Sequence, residues 1–446
     1  MKQSQGFKSL RGCELDRTRM SRSRVAYLII LFGGLSASMA QSPAGGISVK
    51  TRQGVPFFPL GFYGIHHTQP LEDKLGSLQP LKDAGMNTVL QADAGVASGF
   101  SSVLDSAKVM GLHMIVATPH APNILGTVRA YKNRSNILAW ELADDADDGK
   151  DLEEMKARHD AVKAEDPSRP TYLSLTGWSQ NRRERAAEYM PIADMVGYQI
   201  YPITPLQGYD VTSTNALLET YRRTRANVRA ATSHNRPLLM NAQSFNWQGR
   251  YPTVLEERKM IYSGLAAGVK GLLWYDFSFD LIQRQPELWE ELKALAADCR
   301  RLQPFLLEGR FQVLDSTADG GLAASSWVRN DSLLLVAVNT SYSASASVRI
   351  PIPQGFGDWM NNVASRFPQG LNREGGFVMG TLKPLEVQAY FLGRKTTSIV
   401  IGKGNAAYSQ AADPGGLGYP WILKSHGIRD LLGRRPGEKG VGCVGK

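Results

Sequence analysis

The stretch NILAWELADDADD, residues 136–148, decides how this chain is read. Asn136 to Ala143 is an apolar run of strand character. Behind it come acids: Glu141, Asp144, Asp145, Asp147 and Asp148 put five carboxylates within eight residues. Like charges this close repel, and none is buried cheaply without a partner. Why an apolar strand runs straight into such a cluster is decided by the surrounding chain.

Working outward, the same unit recurs from residue 55 to about 300. A short apolar segment is followed by a loop and, in most cases, an amphipathic helical segment. The strand candidates are residues 57–65, 86–93, 112–119, 136–144, 169–177, 193–203, 236–245 and 268–277. Their apolar runs are not strictly alternating, which indicates strands covered on both faces, as in a parallel sheet. Glycines before several of them, in AGMN, MGLH and AGVKG, fit helix C-caps. Eight βα units in this length predict a (β/α)8 TIM barrel over residues 41–304. An open doubly wound sheet is the alternative, but GFYGIHH is a poor match to its glycine-rich first turn. After Pro304 the segments SLLLVAVNTS, ASVRIPI, GGFVMGTL and LEVQAYFLG are short and β-rich. They predict a small antiparallel β-sandwich over residues 305–394. Residues 395–446 show no sustained periodicity and read as a disordered basic tail; a frameshifted or read-through end would have the same texture.

The formal charge is +10, but it lies at the ends. Residues 1–40 carry seven Lys/Arg and two Asp/Glu, and residues 395–446 carry eight and three. The remainder holds 36 of each sign, so a nucleic-acid partner is excluded for the folded body. MSRSR, the apolar VAYLIILFGGL and the small residues SASMA read as a signal peptide over residues 1–40, with Met20 as a second candidate start. The apolar run is short of the roughly 20 residues a span needs. Export to the periplasm or the exterior is expected, with no stable membrane span after cleavage. The body keeps one thiol, Cys299, so neither an internal disulfide nor a cysteine metal site is expected. Oligomeric state is not legible.

The strand ends gather one kind of chemistry. Strand one brings Tyr63, His66 and His67; strand two Gln91 and Asp93; strand three His120. Strand six brings Gln199 and Tyr201, strand seven Gln243 and Trp247, strand eight Trp274, Tyr275 and Asp276. Carboxylates, amides and flat rings together suit sugars, whose C–H faces stack on aromatics and whose hydroxyls bond acids and amides.

The order of motifs resembles the large retaining clan of (β/α)8 glycoside hydrolases with catalytic carboxylates on strands four and seven. NILAWELADDAD resembles its fourth strand, DMVGYQIYPI its sixth, RPLLMNAQSFNW its seventh and GLAAGVKGLLWYDF its eighth; the likeness spans roughly residues 55–394. It implies hydrolysis of O-glycosidic bonds in a poly- or oligosaccharide without a cofactor. Two departures stand out. Asp145, preceded by Asp144, occupies the position of the acid/base glutamate. Gln243 occupies that of the nucleophile, and an amide cannot serve as one. Asp276 or Asp93 could supply the second carboxylate, or the substrate's own N-acetyl group could attack.

The resulting assignment has Asp145 as general acid, Asp144 as its orienting partner and Asp276 as the leading second carboxylate. Tyr63, His67, Asp93, His120, Tyr201, Gln243, Trp247 and Trp274 are expected to bind sugar. No metal site is expected, because adjacent His66 and His67 alternate in direction and complete no metal motif. The competing readings are a non-catalytic carbohydrate-binding barrel and, behind it, a metal-dependent hydrolase. Asp147, Asp148 and Asp151 precede a helical segment and are expected to cap it. Glu141 is expected deep in the barrel, in a structural role.

Overall fold

The structure, a computed structural model, describes residues 47–65, 69–91, 99–118, 124–176, 180–203, 216–247, 249–314, 321–364, 366–367 and 370–393. The expected signal peptide, Met20 and the basic tail lie outside these residues.

Eight strands form the barrel: β1 (Leu60–Ile65), β2 (Thr88–Gln91), β3 (His113–Ala117), β4 (Ile137–Ala143), β5 (Thr171–Leu175), β6 (Met195–Ile200), β7 (Leu238–Gln243) and β8 (Leu272–Tyr275). Each lies inside its predicted segment. The sheet closes in chain order, and β8 pairs in parallel with both β7 and β1. The helices between them are α1 (Leu71–Asp83), α2 (Phe100–Val109), α3 (Ile124–Tyr131), α4 (Leu152–Glu165), α5 (Gln180–Tyr189), α6 (Ala216–Ser233) and α7 (Val254–Ala267). After β8 come α8 (Phe279–Arg284) and α9 (Pro286–Glu308).

Strand alternation sorts the side chains into two cores. Phe62, Trp140 and Trp274 pack into the layer between strands and helices. Tyr63, Ala139, Tyr172 and Leu273 fill the barrel interior, with Tyr275 packed against them. A short hairpin, Val49–Lys50 paired with Pro56–Phe57, contributes Val49 to that interior and so plugs the barrel next to the start of β1. One glycine is required by a close approach: a Cβ on Gly197 of β6 would stand 1.8 Å from the Tyr172 hydroxyl. Without that side chain, Tyr172 reaches across the interior.

The second domain has five antiparallel strands in one sheet, β9 (Arg310–Val313), β10 (Leu322–Arg329), β11 (Ser332–Asn339), β16 (Val387–Gly393) and β13 (Trp359–Asn362). Three more, β12 (Ala346–Pro351), β15 (Phe377–Leu382) and β14 (Leu371–Glu374), form the other. Leu322, Leu335, Ile350, Val378 and Leu392 fill the space between them. The larger sheet seals α7, whose charged residues Glu257, Arg258 and Lys259 are fully buried. Arg258 is answered by Glu291 and Asp298 of α9. The Lys259 amine donates to the Ser341 carbonyl at 3.3 Å, and burial pushes its pKa down to about 6. The last barrel helix does not stop at Pro304 but runs through it to Glu308. Leu302 and Leu306 are buried there and Phe305 stacks on Phe391 at 5.0 Å, so packing carries the helix past a missing amide. Cys299 is buried in the same helix.

Candidate active site

The acids of residues 141–148 separate by depth. Glu141 lies inside the barrel at 3 % exposure, where the Tyr63 hydroxyl donates to it at 3.4 Å. Asp144 is exposed and Asp145 half-buried at the mouth. Asp145 takes a left-handed backbone, φ 51°, which aspartate adopts more readily than most residues. The Asp144 carboxylate accepts from the Asp145 amide at 3.0 Å, and the Asp145 carbonyl from the Asp148 amide at 2.9 Å. These bonds fix a tight turn.

Of the expected caps, Asp151 holds and Asp147 changes. Asp151 does cap α4, accepting from the Glu154 amide at 2.8 Å. Asp147 is instead buried and accepts from the Thr176 amide at 2.7 Å and hydroxyl at 3.2 Å, tying the turn to the end of β5. Asp148 bonds within the turn through its amide, three residues before the cap.

Gln199 of β6 reaches the acid turn over the end of β5, the one strand between them. Its Nε2 donates to Asp145, to Asp144 Oδ1 at 3.3 Å and to Ser174 Oγ at 3.2 Å. Below it, Asn241 Nδ2 donates to Ser174 Oγ at 3.1 Å and meets the Tyr172 hydroxyl at 3.0 Å. A polar ladder thus runs from the barrel interior up to the carboxylates. Burial, followed by repulsion from Asp144, raises the Asp145 pKa to about 7; the Gln199 bond opposes the rise. Near neutral pH Asp145 is therefore only partly ionised, where an ordinary aspartate is fully so.

Aromatic rings line the other side. Tyr275 lies 5.3 Å from Tyr63, 5.9 Å from Tyr201 and 5.2 Å from Phe245. Trp247 stacks on Phe245 at 5.8 Å and meets Tyr201 at 5.6 Å. Asp276 follows Tyr275 through a cis peptide bond. It packs against Gly64, where a Cβ would come within 3.1 Å of the Asp276 Cβ. Burial first, then the charges of Asp276, Asp144 and Asp145, raise the Tyr275 pKa to about 12. One ring therefore senses all three carboxylates. Tyr63 and Tyr201 are likewise raised, by burial and then by acid neighbours.

Two expected sugar ligands lie elsewhere. Trp274 is fully buried in the helix layer and donates through Nε1 to Glu257 at 2.8 Å. Alternation points it outward and leaves its neighbour Tyr275 at the mouth. Gln243 is also fully buried, and its amide is spent on backbone. Oε1 accepts from the Ile203 amide at 2.9 Å, while Nε2 donates to the carbonyls of Ile203 at 2.8 Å and Phe245 at 3.2 Å. It clamps the loop that carries Tyr201 and has nothing left for a ligand. His67, Asp93 and His120 lie outside the described residues. Among those described, no group of three or more His, Cys, Asp or Glu is arranged to hold a metal ion. Sequence reading placed Gln199 and Tyr275 on the rim without giving them a role. Their signal was position alone, at the last or next-to-last residue of a barrel strand.

No protein-family model matches the chain, and no curated protein matches it. Solved structures do. Amy13B of Eubacterium rectale superposes with a TM-score of 0.53 at 9% identity, covering 78% of this chain and 97% of that one. An α-amylase from Anoxybacillus gives 0.51 at 12% identity, covering 74% and 92%. The α-amylase of Geobacillus thermoleovorans, solved with acarbose, gives 0.50 at 11% identity, covering 76% and 99%. The likeness is one of fold. It extends over nearly the whole of each of these proteins and about three quarters of this chain. No helix among the described residues is long and apolar enough to cross a membrane.

Proposed function

We propose that this chain is an exported glycoside hydrolase that cleaves O-glycosidic bonds of an oligo- or polysaccharide at the barrel mouth. The observation that carries the reading is Asp145, a carboxyl with its pKa raised to about 7 at the carboxyl end of β4, whose charge also acts on Tyr201 and Tyr275. A general acid works best when its pKa is close to the working pH. Asp145 gives its proton to the glycosidic oxygen as the C–O bond breaks. Asp144 fixes the turn that aims it. Asp276 is the second carboxylate. It either takes the proton of an attacking water or attacks the anomeric carbon itself, and the configuration of the released sugar separates the two. Tyr275, Tyr201 and Trp247 offer faces for sugar rings. The solved α-amylase holding acarbose, on a related barrel, supports a carbohydrate as the ligand class. The export signal read at residues 1–40 supports a substrate outside the cytoplasm.

The test is turnover of a broad glycan panel by purified protein, measured beside Asp145→Asn. Release of reducing ends by the native chain and its loss in the variant are expected. A second reading, a barrel that binds sugar without cleaving it, is favoured by Gln243, since the strand-seven position carries no carboxylate. Tight binding with no turnover on any glycan, in folded protein, would establish it.

A further inference from the structure

Gln199 sits where β6 meets the mouth, half-buried, and its two ends face different surroundings. Two of the three acceptors around Nε2 are carboxylate oxygens. That fixes the amide orientation, because the reversed amide would aim its carbonyl oxygen at negative charge. Oε1 carries no hydrogen bond among the described residues, and it is not sealed in the interior as Gln243 is. A carbonyl oxygen at a half-buried mouth, beside a ring cluster, is placed to meet a hydroxyl.

We infer that Gln199 is the positioning residue of the acid pair, holding Asp144 and Asp145 through Nε2 from the next strand but one and offering Oε1 to a sugar hydroxyl. This rests on the glycosidase reading for its second half only. The hold on the acids stands on geometry. Asp145 leaves β4 in a left-handed turn, and within its own segment only the Asp144 and Asp148 bonds restrain it. Gln199 supplies the one side-chain bond to its carboxylate among the described residues. Through Ser174 and Asn241 that bond is anchored to β5 and β7. Among the described residues, the charged or titratable groups acting on Asp145 are Asp144, Asp147 and Asp148 from its own turn, Tyr201 beyond β6 and Tyr275 of β8. All are acids or phenols, so Gln199 is the neutral donor that offsets them. Donation to a carboxylate favours its ionised form.

The test is a 13C titration of aspartate carboxyl groups in the full chain, with the Asp145 signal identified by its absence in Asp145→Asn. Gln199→Leu should raise the Asp145 midpoint by about one pH unit, the size expected for one charge-assisted hydrogen bond. Gln199→Glu should raise it too, by adding a negative neighbour in place of a donor. A midpoint that is unchanged or lowered in both variants overturns the inference. The sugar contact is read on a panel of 4-nitrophenyl glycosides: Gln199→Leu should raise KM by about fivefold on any glycoside turned over. An unchanged KM removes the Oε1 contact. No turnover on this panel or on the broad glycan panel removes the glycosidase reading and that contact with it, and the titration still decides the hold on the acids.

Discussion

The ends of β4 and β7 occupy equivalent addresses on the barrel rim and are built in opposite ways. At β7, the Gln243 amide has every hydrogen of Nε2 and its Oε1 engaged by backbone, and the side chain is fully buried. At β4, Asp144 is exposed, Asp145 has a proton affinity far from its ordinary value, and the backbone is left-handed. Reactivity requires groups whose bonding is incomplete. The satisfied address holds a loop in place; the unsatisfied one is where a substrate has something to do.

The contrast can be broken most severely at Asp145. Replacement by asparagine should lower turnover by about 10²–10⁴-fold, the usual worth of a general acid, measured as kcat/KM on an accepted glycan. Stability should not fall. An acid whose folded pKa is raised above its unfolded one contributes most at low pH and loses that contribution as pH rises through about 7. The variant's Tm should therefore equal or exceed the native value at pH 8. Restoring a carboxylate at the other address should do the reverse. Gln243→Glu removes the donation to Ile203 and buries an unpaired charge, so a loss of about 3–5 kcal/mol in denaturant unfolding is expected, with no gain in turnover. In the native chain, activity should decline about tenfold per unit above pH 7, as Asp145 loses its proton. The smallest effect belongs to the rings. Trp247→Ala should raise KM several-fold, at about 1 kcal/mol for one stacking face, whereas Trp274→Phe, which orphans Glu257 in the helix layer, should leave KM alone and lower Tm.

What the sequence made legible follows from how local the signal was. Each barrel strand is a short apolar run ended by turn residues, and all eight lie within their predicted bounds. Which side of the strand a residue faces is a finer matter, since a shift of one residue exchanges the two faces. That is why the pattern alone does not tell which of the neighbours Trp274 and Tyr275 faces the mouth. Gln243 is the last residue of β7, but its bonding partner, the Ile203 peptide, lies 40 residues away in sequence and no local pattern announces it. Asp147 was read as a cap because it precedes a helix; its partner Thr176 is again distant, 29 residues on. Charge and polarity are visible in one dimension, and the partners that neutralise them are not.

The most direct test is a crystal structure of the Asp145→Asn variant with an oligosaccharide that the native enzyme cleaves. The expected result is a sugar ring against Tyr275 and Trp247, its glycosidic oxygen within ~3 Å of residue 145, and Asp276 within ~5–9.5 Å of that residue on the same sugar. A ligand bound away from the mouth, or Asp276 beyond the reach of that sugar, would contradict the assignment.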